Sequence, residues 1–160
     1  MPTSFDEINT IFYDLVEEDE DFFNYYGISP VQSMNMAEAR ADSCLRAAAL
    51  KVASENETDV NFADFDTETR EFAADLTPQE KNLLAHLQYE RYLYRDFAGL
   101  RAQATRFTSA EQSVFSPANE RKTFLQMYQA LVEENRNSLN LYLCRDRLTG
   151  ERKSLPTEDF

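Results

Sequence analysis

A chain of 160 residues fits one domain and is long enough to bury a core without metals or disulfides. Its net charge of −13 makes duplex nucleic acid a poor candidate for a primary partner, because that role needs a concentrated basic footprint. No apolar run approaches the roughly 20 residues of a membrane span, and the opening "MPTSFDEINT" lacks the basic and apolar blocks of a secretory signal, so a cytosolic product without membrane contact is expected.

The charge is unevenly divided. Residues 1–80 hold 19 acidic and 4 basic side chains, a net of −15, whereas residues 81–160 hold 10 acidic and 12 basic, a net of +2. A protein with one strongly negative and one slightly positive half can place unlike faces together, head to tail, between copies.

Ser4 and Glu7 have the spacing of a capping box, and Phe5, Ile8, Ile11, Phe12 and Leu15 recur at helical intervals behind it, which predicts a first helix over about 5–17. The run "EEDED" at 17–21 suits a helix C-terminus badly, so a break is expected there, with a short helical turn from near Glu20 that Gly27 ends. "FFNYY" before that glycine reads as a plug for the core. Ser29 and Pro30 look like a cap and first helical position, with the stronger apolar stripe over Met36 to Ala53, on Ala37, Ala41, Cys44, Leu45, Ala48 and Val52. From Ser54 to Leu76 periodicity dissolves into a long acidic loop pinned by Phe62, Phe65 and Phe72.

At Thr77 the helix signals agree again, with Thr77 as cap, Pro78 behind it and Glu80 three residues on. A helix to about Gln103 follows. Its apolar stripe of Leu83, Leu84, Leu87, Leu93, Tyr94, Phe97 and Leu100 is unusually wide, and Tyr89 and Tyr92 widen it further. Such a helix is central: neighbouring helices cover it, or a second subunit supplies part of the cover. A connector over 105–116 leads to Ser116 and Pro117 and a last helix to about residue 144. The tail from Arg145 onward carries no helical stripe and reads as a turn around Thr149 and Gly150 followed by an extended or mobile arm. The expectation is an all-α fold: one domain over 1–144, a helical bundle of about four main helices with a long acidic loop, and a C-terminal arm over 145–160.

The residues offer little chemistry. His86, the single histidine, stands four residues before Glu90, a pair read as structural. Asp64, Asp66 and Glu68 alternate as in a calcium loop, but Thr69 and Asp75 occupy the positions that need glycine and glutamate. Cys44 and Cys144 are isolated and read as reduced core or near-core residues. No catalytic residue, metal or cofactor is expected. Arg145, Arg147, Arg152 and Lys153 form the one local basic concentration, and Glu17, Glu18, Asp19, Glu20 and Asp21 the matching acidic one. These two segments are expected to face each other between copies, with Tyr89 and Tyr92 as further candidate contacts.

The stretch "DLTPQEKNLLAHLQYERYLYRDF" followed by "VFSPANERKTFLQMYQALVEENRNSL" resembles a family of small helical proteins encoded among the virion-structure genes of tailed bacteriophages. The resemblance is carried by Asp75, Leu76, Thr77 and Glu80, then Phe115, Ser116, Ala118 and Asn119. Relatives often carry tryptophan where this helix has Tyr89, Tyr92 and Tyr94, and glutamine where it has Pro117. The resemblance implies a head-to-tail connector or adaptor of the virion neck. Such a protein is made in the bacterial cytoplasm, forms a homo-oligomeric ring matching the twelve-fold portal, and contacts the portal protein and tail or neck proteins, with DNA only as passing cargo. An acidic wall suits such a channel, since it limits sticking of DNA. The alternatives are an acidic helical binding module that mimics DNA toward an enzyme, or a tail-assembly chaperone.

Overall fold

Ser4 opens the first helix as its spacing predicts. Its hydroxyl accepts from the Asp6 backbone N–H at 3.2 Å, and Glu7 accepts from the Ser4 N–H at 3.3 Å. The computed structural model describes residues 1–17, 20–23, 25, 27–55, 58–104 and 117–153, with the side chains at 20, 21, 96–104 and 117–121 excepted. Within it run β1 (Thr3–Ser4), α1 (Phe5–Leu15), α2 (Glu20–Phe23), α3 (Pro30–Ala53), β2 (Phe65–Asp66), β3 (Glu71–Phe72), α4 (Pro78–Ala104) and α5 (Pro117–Leu143). No helix among the described residues is long and apolar enough to cross a membrane.

The break after α1 and the short α2 stand where the charge pattern places them. Gly27 takes φ +82°, a left-handed backbone angle that favours glycine, and turns the chain into α3. That helix starts six residues ahead of its strong stripe. Ser29 and Gln32 complete a second capping box and Pro30 supplies a preset first turn, while burial of Ser33 and Ala37 secures the start.

The all-α expectation gives way to a mostly helical fold with a small sheet. Inside the acidic loop β2 and β3 pair antiparallel, and β3 also pairs with β1 at the N-terminus, in the order β1-β3-β2. Asp66 builds the turn: its carboxylate accepts from the N–H groups of Glu68 and Thr69 at 2.7 and 3.3 Å. The alternating acids of this loop thus include a turn-former. The phenylalanines do pin it. Phe65 and Phe72 meet Phe5 with ring centroids 6.0 and 5.1 Å away, and Phe62 meets Tyr142 at 6.0 Å.

Arg70 leaves that turn at φ +58° and gathers three helix acids. It holds Asp42 bidentately at 2.8 and 3.1 Å, Asp6 at 2.8 Å, and Glu38. Asn9 donates to Asp42 at 2.7 Å, and Gln88 donates to Asn9 at 2.8 Å and to the Ala41 carbonyl at 3.0 Å. This polar thread fixes α1, α3 and α4 against one another. A left-handed angle at a non-glycine residue costs about 1 kcal/mol, which the four charge-assisted contacts offset.

α4 is central, packed against α1, α3 and α5. Its start is clasped at Glu80, which is fully buried. Glu80 accepts from the Thr77 N–H at 2.7 Å, the Tyr142 hydroxyl at 2.8 Å, and Arg147 Nε and Nη2 at 2.9 and 2.8 Å. Burial alone would raise this carboxyl, but the hydrogen bonds from Arg147, Thr77 and Tyr142 outweigh it and hold it below the usual carboxylate range. Farther along, Asn135 of α5 donates to the His86 carbonyl and to Glu90, at 3.1 and 3.0 Å. Glu90 also pairs with Lys51 of α3 at 2.7 Å, so it serves helix packing and not His86.

Residues 145–153, the first part of the expected C-terminal arm, close into a turn docked on the body. Arg145 and Arg152 form an antiparallel bridge, and Lys153 N–H donates to the Cys144 carbonyl at 2.9 Å. The Asp146 carboxylate accepts from the N–H groups of Leu148 and Thr149, and Gly150 supplies φ +71°. The turn at Thr149 and Gly150 therefore stands where expected. Residues 154–160 and the 105–116 connector lie outside the described residues. Of the cysteines, Cys44 is buried, which pushes its thiol up, whereas Cys144 is exposed and is no core residue.

Candidate docking surface along the central helix

The wide stripe of α4 divides into three faces. Leu84, Ala85, Gln88 and Tyr92 turn toward α1 and α3, while Glu80, Leu83, Leu87, Glu90 and Tyr94 follow one another toward α5 at helical spacing. The third face runs through Asn82, His86, Tyr89 and Leu93, again at steps of three and four residues. Asn82 is exposed and the other three are half-buried. Nothing else among the described residues lies over that face, which α1 and α5 flank.

Two hollows follow one another along it. The first lies between α4 and α5 and is mixed in character, lined by Asn82, Leu83 and His86 on one side and Glu134, Ser138 and Leu141 on the other. The second, of ≈ 490 Å³, lies where α1 ends: Leu15, Tyr89 and Leu93 give it apolar lining, and Asp14 and Glu17 give it an acidic rim. From His86 to Leu93 the helix rises roughly 10 Å, so the two hollows follow one another along one side of α4, the side called the groove below. Met127, 67% exposed, stands on the same side of α5 as Glu134 and Ser138 by helical spacing.

The rim is electrostatically uncompensated. Asp14 and Glu17 sit at the C-terminal end of α1, where the backbone carbonyls already concentrate negative charge, and the last turn holds no basic residue. Neither acid makes an ion pair among the described residues.

The expected contact residues separate into distinct groups. Tyr92 is 1% exposed and cannot meet a second protein. Its ring is enclosed by Phe12 and Phe22, with centroids 6.1 and 5.3 Å away, and by the Arg40 guanidinium at 4.8 Å. Tyr89 stacks on it at 6.5 Å and lines the groove. Arg147 is occupied by Glu80 and by the Asp75 carbonyl at 2.7 Å, and Lys153 by Asp59 at 2.8 Å. Arg145 and Arg152 are exposed and make no ion pair among the described residues. Glu17 is exposed at the groove rim, while the side chains of Glu18, Asp19, Glu20 and Asp21 lie outside the described residues. The structure thus brings Glu17 and Tyr89 together and sets Arg145 and Arg152 apart from their two basic neighbours.

Sequence reasoning missed Leu15 and Leu93 as groove lining and Leu148 as an exposed apolar side chain at the tip of the C-terminal turn, 79% accessible. The misplacement of "EEDED" at a helix end was the available signal for the acidic rim. Nothing comparable marks Leu148, whose exposure depends on how the turn docks. Among the described residues no three His, Cys, Asp or Glu side chains are grouped to hold a metal. No family model matches the chain, and neither does any curated protein or solved structure.

Proposed function

We propose that the protein is a structural component of a tailed-phage virion, a head-to-tail connector or adaptor that forms a ring below the portal and links the DNA-filled capsid to the tail. The observation that supports the structural part of this reading is the hollow beside α4, where Tyr89 and Leu93 stand half-buried next to the acidic rim of Asp14 and Glu17. Apolar side chains grouped beside uncompensated charge suit contact with another protein. The assignment to a phage neck rests on the sequence resemblance at Asp75, Leu76, Thr77 and Glu80 and at Phe115, Ser116, Ala118 and Asn119.

The test is the composition of the finished particle. Quantitative mass spectrometry of purified virions is expected to find this chain at a fixed ratio to the portal protein, and labelling should place it at the neck. A chain present in infected cells and absent from virions would overturn the connector reading and favour a tail-assembly chaperone.

A further inference from the structure

We infer that the turn over residues 145–152 of one copy seats in the α1–α4 hollow of the next, with Leu148 against Tyr89 and Leu93 and the Arg145–Arg152 pair over Asp14 and Glu17. The turn is a built projection. Three hydrogen bonds to the Asp146 carboxylate, from the Leu148 and Thr149 N–H groups and the Thr149 hydroxyl at 2.8 to 3.0 Å, hold its tip. Those bonds hold the Asp146 carboxyl below its usual range, so the tip stays formed at neutral pH. Because the tip is ordered before contact, little conformational entropy is lost when it docks.

The charges point to the occupant. Arg145 and Arg152 stand directly opposite each other across a bridge, an arrangement that repels unless an anion covers it. The hollow offers the converse, two carboxylates at the negative end of a helix with no cation among the described residues. The basic collar matches the acidic rim, and Leu148 at the tip matches the apolar side chains of Leu15, Tyr89 and Leu93 within the hollow.

The match cannot be made within one molecule. Arg147 anchors the turn at Glu80, and the nine residues from Glu80 to Tyr89 place the two about 14 Å apart along α4 and on opposite sides of it. Different patches meeting between identical chains give a heterologous contact, which closes into a ring or propagates as a filament. The inference supplies the self-contact that the ring reading requires and rests on that reading for its biological setting.

The test uses two charge-reversed full-length chains in sedimentation equilibrium at low salt. Asp14→Lys with Glu17→Lys reverses the groove, and Arg145→Glu with Arg152→Glu reverses the turn. All four positions are exposed, so circular dichroism should match the wild type. Each variant alone is expected to self-associate at least 10-fold more weakly than the wild type, while an equimolar mixture recovers association because each reversed groove meets a reversed turn. A wild type that remains monomeric, variants that associate normally, or a mixture that stays dissociated would each overturn the contact. Failure here with the chain still found in virions removes this contact and leaves the connector reading. Success here with the chain absent from virions does the opposite.

Discussion

The two ends of α1 carry the same kind of charge in opposite states of compensation. At the N-terminal end Asp6 and Glu7 lie where the helix dipole favours anions, and Arg70 and Lys81 pair with them at 2.8 and 2.6 Å. At the C-terminal end Asp14 and Glu17 lie where it disfavours them, with no ion pair among the described residues. The C-terminal turn repeats the contrast, since Arg147 and Lys153 are spent inside the fold and Arg145 and Arg152 are not. Charge spent inside holds the elements together; charge left open is available to another chain.

If that division is right, removing an inside charge should cost most. Glu80→Gln leaves Arg147 and Tyr142 without their carboxylate, a loss of about 3 kcal/mol, near the low end for a broken buried pair because Arg147 reaches solvent. Urea unfolding should show a lower midpoint with unchanged slope. The pH dependence follows from the lowered pKa of Glu80. The native state releases this proton more readily than the unfolded chain, so the contribution is complete above the ordinary glutamate range and disappears as pH falls through the native value. The gap between wild type and Glu80→Gln should therefore narrow below about pH 4.5.

Arg70→Met should cost somewhat less, about 2 kcal/mol, because Asp6 and Glu38 are open enough to turn to water and only Asp42 is well enclosed. Thermal unfolding would register it as a lower Tm. The smallest effect is expected at the open end. Asp14→Asn with Glu17→Gln should leave stability unchanged or raise it by about 0.5 kcal/mol, since both substitutions relieve a helix C-terminus. A clear loss of stability in that variant would mean that these acids serve the fold after all.

Features written in local chemistry were legible from the residues. Ser4 with Glu7, Ser29 with Pro30, and Thr77 with Pro78 and Glu80 each start a helix where the sequence places it, and Gly27 turns the chain where expected. The sheet was not legible, because two-residue strands show no alternation and β1 is supplied from a segment about 70 residues away. The same distance problem hid the Glu80–Arg147 clasp and put Tyr92 wrongly on a contact surface: Phe12, Phe22 and Arg40 enclose it from three other elements. Of the groove, the acidic rim and Tyr89 were legible, whereas its apolar lining depends on where α1 stops against α4.

Docking of the C-terminal turn of one copy in the α1–α4 hollow of another can be tested by disulfide trapping. In a Cys144→Ser background, chains carrying Leu93→Cys are mixed with chains carrying Leu148→Cys under mild oxidation. Mixed dimers linking the two positions are expected to dominate, and reversing Asp14 and Glu17 to suppress them. Same-site dimers alone, or mixed dimers indifferent to those two acids, would contradict it.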